Sequence, residues 1–107
     1  MSTISVIVLN YNSSADCCKC VADLQRQEGV ELEIIIVDNC SRKEDASAVE
    51  QLAAEQGCTF IAAKENRGYN AGNNIGLRYS MRNLSKDGNL INIPLFLADR
   101  TEVLISQ

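Results

Sequence analysis

The chain contains no histidine, no excess of basic residues and no long hydrophobic run. Each absence removes a class of function. Without histidine, a zinc site built on Cys17, Cys18 and Cys20 lacks its fourth ligand. Ten basic against 14 acidic residues, a net charge of −4, argue against DNA or RNA as the main partner. A phosphate-bearing small molecule stays compatible, given a cation to mask the repulsion. No segment approaches the roughly 18 apolar residues of a membrane span. Met1-Ser-Thr3 leads straight into an apolar run without a basic segment or cleavage site, so no export signal is read there. Five cysteines and no export signal favour free thiols in a reducing cytoplasm. There is no internal repeat, low-complexity tract or linker. At 107 residues the chain is one domain, or part of one, with a modest core.

What is present is an alternation of strands and helices. Ile4–Asn12 and Glu33–Ser41 are apolar, β-branched runs that stop abruptly in small polar residues. Such runs, without polar alternation, read as strands buried on both faces, as in a parallel sheet. Strands are placed at residues 4–9, 32–37 and 58–63, with a short fourth at Leu95-Phe-Leu97. Ser13, Ser14 and Asp16 offer N-caps to a helix reaching Gln27, with Cys17, Cys20, Val21 and Leu24 on its apolar face. Ser41-Arg-Lys-Glu44 spells a capping box before a helix to Gln56, which Gly57 ends. A third helix runs from Asn70 to Asn83 with Ile75 and Tyr79 facing inward, and residues 84–92 read as a polar loop. The fold expected is a three-layer α/β/α arrangement around a mainly parallel sheet.

Four segments carry candidate chemistry. Asn10-Tyr11-Asn12 follows the first strand, where open α/β sheets bind ligands. A phenol can stack on a base and amides can bond its polar edges, although asparagine is also a common turn residue. Asp38 ends the second run, where a carboxylate needs a partner. It could accept from a ribose hydroxyl or a base N–H, or cap the next helix together with Asn39 and Ser41. Asn66–Gly76 holds three glycines and four asparagines in eleven residues, suited to a tight turn and a close backbone approach. It lacks the Gly-Lys-Ser/Thr ending of a P-loop, and Gly72 and Gly76 could simply let a helix pack on the sheet. Cys17-x-x-Cys20 has the spacing of a dithiol redox site. Cys20 falls on the apolar helix face, however, and the pair reads as core packing.

In their order, these segments resemble the N-terminal half of family 2 glycosyltransferases, inverting GT-A enzymes that include rhamnosyltransferases. The matching stretches are Ser5–Asn12, Cys20-Val-Ala-Asp-Leu-x-x-Gln27, Glu33–Ser41 and Asn66–Gly76, together covering residues 4–80. The resemblance implies a site for a nucleotide-diphosphate sugar. In it Leu9, Asn10, Tyr11 and Asn12 line the nucleotide pocket, Asp38 contacts the base or ribose, and the Asn66–Gly68 turn borders the pocket. It further implies Mn²⁺ or Mg²⁺ on the diphosphate, and transfer of the sugar to an acceptor hydroxyl with inversion, in cell-surface polysaccharide or glycoconjugate synthesis. A cytoplasmic location, with peripheral association at the inner face of the membrane as a compatible variant, goes with that reading.

One stretch departs from the family pattern. Where Asn-Pro-Asp is expected, the chain reads Ala98-Asp99-Arg100-Thr101-Glu102. A shift of one residue puts Asp99 in the metal position, whereas an ungapped match puts Arg100 there, and arginine ligates no metal. The chain then ends at Gln107, before an acceptor-binding region or a catalytic base. The expectation is therefore a truncated domain: residues 1–107 as the donor-binding part of a GT-A glycosyltransferase, inactive by itself. The competing expectation is a non-catalytic nucleotide-binding or interaction protein derived from that fold.

Overall fold

Unbroken Ile/Val runs suit a strand whose two faces are both covered, and both runs are found in that setting. The structure is a computed structural model describing residues 3–29, 31–83, 90–95 and 104–106. Its elements are β1 (Thr3–Asn10), α1 (Ser14–Gln25), β2 (Glu31–Asp38), α2 (Lys43–Gln56), β3 (Thr59–Ala62), α3 (Tyr69–Asn83), β4 (Leu90–Leu95) and β5 (Leu104–Ser106). They form one sheet in the order β3-β2-β1-β4-β5. The first four of these strands are parallel, and β5 runs antiparallel to β4.

Successive strand residues point to opposite faces, so each run feeds two cores. Val6, Val8, Ile34 and Ile36 pack with Cys17 and Val21 of α1 and Val49 and Ala53 of α2. Ile7, Leu9, Ile35 and Val37 form the second cluster, against which Ile75, Leu77 and Tyr79 of α3 are packed. This is the expected three-layer arrangement, with Ile75 and Tyr79 inward as read from their spacing. The chain winds outward from β1 to β3, then crosses back to place β4 on the far side of β1. That reversal makes the carboxyl end of β1 a topological switch point, the place where open α/β sheets bind ligands.

Two glycines set how close α3 lies to the sheet. A Cβ on Gly76 would sit 2.7 Å from Ile7 Cγ2, and one on Gly72 would sit 2.7 Å from Leu9 Cδ1. Of the two roles open to these glycines, packing is the one seen. Ser80 Oγ donates to Ser5 Oγ at 2.9 Å, tying the same helix to β1 within the interior.

Several boundaries differ from the sequence reading. The fourth strand is Leu90–Leu95, so residues 90–92 belong to the sheet and not to a loop, while 96 and 97 lie outside the described residues. Pro94 in that stretch mimics a breaker, yet it lies past Leu90–Asn92, the residues that pair with β5, so its missing N–H costs no bond to that strand. The capping box is not formed. The N-cap of α2 is Arg42, without a side-chain bond, because Ser41 is engaged elsewhere. Gly57 does cap α2, in the left-handed region at φ 71°. On α1 it is Cys17, not Cys20, that is fully buried.

Candidate functional site

Asn10 and Asp38 are register partners at the ends of β1 and β2, so the two sequence motifs open on one sheet edge. Their side chains are wholly buried, at 0% and 2% exposure, and face each other. The Asn10 amide gives one N–H to Asp38 Oδ1 and the other to Asp45 Oδ2, each at 2.9 Å. Asp38 also accepts from Ser41 twice, Oγ to Oδ1 at 2.6 Å and N to Oδ2 at 3.0 Å. A carboxylate this enclosed persists because donors surround it. Asp38 does not take the capping role open to it on α2: its bonds go to Ser41, ahead of the helix, and to Asn10.

Asn12 occupies the left-handed region at φ 51°, which asparagine tolerates better than most residues. Its N–H donates to Ser41 Oγ at 2.9 Å, and its Oδ1 accepts from Arg42 N at 2.8 Å. Asp45, in the first turn of α2, accepts the Ser14 N–H at 2.9 Å, so it also serves the N-terminus of α1. Partial burial alone would raise its pKa. The bonds from Asn10 and Ser14 and the nearby Arg42 charge outweigh that and hold it below the usual carboxylate range.

Tyr11 and Asn12 are half-buried at this edge, and Leu9 lies beneath them with no exposure. Across the edge, Asn66 and Gly68 form the expected turn: Asn66 Oδ1 accepts the Gly68 N–H at 2.8 Å, and Gly68 has φ 96°. Asn39 holds this turn, donating from Nδ2 to Asn66 Oδ1 at 3.2 Å and to Gly68 O at 3.4 Å. Because both partners are acceptors, the amide orientation is fixed. Its Oδ1 is buried with no hydrogen-bond partner among the described residues. Asn39, 3% exposed, also lines a cavity of about 180 Å³ together with Lys64, Arg67, Ala71, Gly72 and Ile75.

The site thus consists of a hydrogen-bonded floor (Leu9, Asn10, Asp38, Asp45) and a rim (Tyr11, Asn12, Asn39, Asn66, Gly68). Asn39 and Asp45 carry more of it than the sequence reading gave them. Asn39 stood inside a quoted motif but read as a cap, and Asp45 resembled any first-turn acid. A cavity of about 400 Å³ lies at the opposite edge, among Leu24, Leu32, Ile34, Gly57 and Thr59. No candidate residue lies there, so volume does not mark this site.

The fit for a divalent cation is poor on the described residues. No group of three cysteines or carboxylates among them is placed to share one ion. Asp38 and Asp45 spend their oxygens on donors within the floor, and Asp99 lies outside the described residues. The dithiol reading fails as well. Burial pushes the Cys17 thiol far up and that of Cys20 to about 11, the reverse of an activated thiolate. No helix among the described residues is long and apolar enough to cross a membrane.

Comparison with known proteins agrees with this architecture. The low-salt glycan biosynthesis hexosyltransferase Agl10 of Haloferax volcanii is 30% identical over 94 residues, covering 88% of this chain and 28% of the hexosyltransferase. The mannosyltransferase PcManGT of Pyrobaculum calidifontis, solved in complex with GDP-Man and Mn²⁺, superposes with a TM-score of 0.71 at 23% identity, over 89% of this chain and 28% of its own. TarS of S. aureus gives 0.67 at 23% identity, over 88% and 16%. At such identities the two structures speak for the fold, that of GT-A glycosyltransferases. Residues 5–83 match glycosyl transferase family 2, and the chain belongs to that family.

Proposed function

We propose that residues 1–107 are the donor-binding part of a glycosyltransferase and that the β1–β2 edge holds the nucleotide of a nucleotide-diphosphate sugar. The observation that carries this reading is Asn39 Oδ1: a buried acceptor without a partner among the described residues, on the wall of a cavity past the carboxyl ends of β2 and β3. A ribose hydroxyl or a base N–H would satisfy it. Tyr11 supplies an aromatic face for the base, and Asn12, Asn66 and Gly68 complete the rim. Leu9, Asn10 and Asp38 contribute from below, as the layer that shapes the pocket. Of the charged residues lining the cavity, Arg67 is paired with Glu65 at 3.6 Å, and Lys64 is the cation that suits the negative charge of a diphosphate.

The reaction inferred is transfer of the sugar to an acceptor hydroxyl with inversion, in glycoconjugate or cell-surface polysaccharide synthesis on the cytoplasmic side. Rhamnose is one donor sugar compatible with the sequence resemblance. The neighbouring mannosyltransferase carries Mn²⁺. In this chain a metal would depend on Asp99, and no step is assigned to it. The described residues bind and orient the donor.

Calorimetric titration of UDP, dTDP and GDP-mannose, each with and without Mn²⁺, tests the reading on wild type and Tyr11→Ala. Binding of at least one nucleotide, weakened about tenfold by Tyr11→Ala through loss of a stacking contact, is the expected result. Equal affinity in the two proteins removes Tyr11 from the pocket. No binding of any nucleotide overturns the site.

A further inference from the structure

The turn that presents Tyr11 is restrained mainly from the side of α2, with Asn10 also bonded to Asp38 Oδ1 and Asn39 N at the end of β2. Asn10 and Ser14 bracket it, and both bond to the same carboxylate: Asn10 Nδ2 donates to Asp45 Oδ2, and Ser14 N donates to Asp45 Oδ1, each at 2.9 Å. Between these anchors, Asn12 bonds Ser41 Oγ and the Arg42 N–H. The partners on the α2 side all belong to residues 41–45, the connection from β2 into α2. Within the turn itself there is one further bond, Ser13 Oγ donating to Tyr11 O at 3.1 Å. Ser13 makes no side-chain cap bond to α1, so the α1 N-terminus takes its side-chain acceptor from another helix. Asn12 has positive φ, a conformation that persists where surrounding contacts impose it.

We propose that Asp45 is a positioning residue, gripping both ends of the 10–14 turn and so holding Tyr11 and Asn12 in the shape that receives the nucleotide. The proposal rests on reading this edge as the nucleotide pocket. Its geometry, however, belongs to the ligand-free chain and is testable there. Asp45 sits at two helix N-termini, its own and that of α1, where the peptide dipoles favour a negative charge. Asp45→Asn leaves one acceptor oxygen for these two donors, so either the Ser14 N–H or one Asn10 N–H faces an NH2 group in place of an acceptor. The turn is then held on the α2 side by the Asn12 bonds to Ser41 and Arg42 without the grip at its two ends, while the two apolar cores on the sheet keep their contacts.

The test uses Asp45→Asn, with Glu50→Gln on the exposed side of the same helix as control. Amide hydrogen exchange is read at Asn12, Ser14 and the core strand residues Val8 and Ile35 in ligand-free protein, and UDP and GDP-mannose are titrated well below the unfolding temperature. Exchange at Asn12 and Ser14 should quicken about tenfold or more with Val8 and Ile35 unchanged, and nucleotide binding should weaken about tenfold. Glu50→Gln should match wild type in both. Unchanged exchange at Asn12 and Ser14 overturns the proposal, as does weakened exchange protection throughout the sheet, which marks a purely structural role. If the turn loosens and binding by the folded variant is unaffected, the positioning role is likewise overturned. Wild type that binds neither nucleotide refutes the pocket reading instead, and the exchange data then report on the restraint alone. Asp45→Glu, which keeps the charge but shifts it by one methylene, serves if Asp45→Asn does not fold, with the same two changes expected.

Discussion

Asp38 and Asp45 divide the two N–H groups of the Asn10 amide between them, and this sharing makes the floor of the site sensitive to either acid. Asp38→Ala strands one Asn10 N–H and the Ser41 N–H in the interior. An unsatisfied buried donor costs about 1–3 kcal/mol, so the variant should lose about 3 kcal/mol of stability, read as a lower urea midpoint with unchanged slope. It should also weaken nucleotide binding, because Ser41 no longer has its anchor while it holds Asn12. Asp45 sets a pH dependence. Its folded pKa lies below the ordinary carboxylate value, so the unfolded chain binds more protons between the two. Its contribution is complete above the unfolded value of about 4 and is lost as pH falls through the folded one. The gap in urea midpoint between wild type and Asp45→Asn should therefore narrow as pH falls below the unfolded value of about 4. A gap that widens on acidification would contradict this assignment.

At the scale of elements, the packing of α3 separates fold from site. A methyl on Gly76 meets Ile7 Cγ2 at 2.7 Å and Val37 Cγ2 at 3.1 Å, both on β-branched side chains that are stiff at χ1. Overpacking of this kind costs about 1–3 kcal/mol and exceeds the helix-propensity gain of about 1 kcal/mol. Gly76→Ala should be destabilised by up to about 2 kcal/mol on that difference. A methyl on Gly72 meets Leu9 Cδ1, the far end of a flexible side chain, and then the Asn39 amide at 3.3 Å. Gly72→Ala should lose less stability, yet it should bind nucleotide several-fold more weakly because it displaces Asn39. Thermal unfolding and titration of the two variants side by side check the ordering. Equal binding by both would remove Asn39 from the site.

For the molecule as a whole, the thiols report on opening. Cys17 is fully enclosed between α1 and the sheet, while Cys18 and Cys40 are exposed. Burial also suppresses thiolate formation at Cys17, Cys20 and Cys58. Under native conditions a thiol reagent should modify Cys18 and Cys40 quickly. Cys20 and Cys58 should follow more slowly, and Cys17 should react last, at the rate of opening of the core. Mass spectrometry of the labelled peptides gives the order. Early modification of Cys17 would show that α1 leaves the sheet independently.

The local pattern was enough for the layers and for the edge. Unbroken runs at Val6–Leu9 and Ile34–Val37 dictate strands covered on both faces, whatever the partners are. The helical spacing of Ile75 and Tyr79 fixes which side of α3 faces inward, and a polar stop at the end of each run marks the sheet edge proposed as the site. These are properties of period and composition, legible in one dimension. Strand order, by contrast, brought Asn10 beside Asp38 across 28 residues and Asp45 beside Asn10 across 35. The Ser41 hydroxyl could have capped α2 by its spelling, but the Asp38 carboxylate and the Asn12 N–H claim it. Asn39 likewise read as a cap, because its orphaned oxygen exists only once the Asn66–Gly68 turn occupies its other end. A hydrogen bond between distant segments depends on which groups the folded backbone delivers to within 3 Å. For this chain the sequence alone determined which sheet edge collects the polar stops of the strands, and the tertiary structure decided which side chains there form the hydrogen-bonded floor and which the rim, because only the folded backbone brings the distant partners within reach.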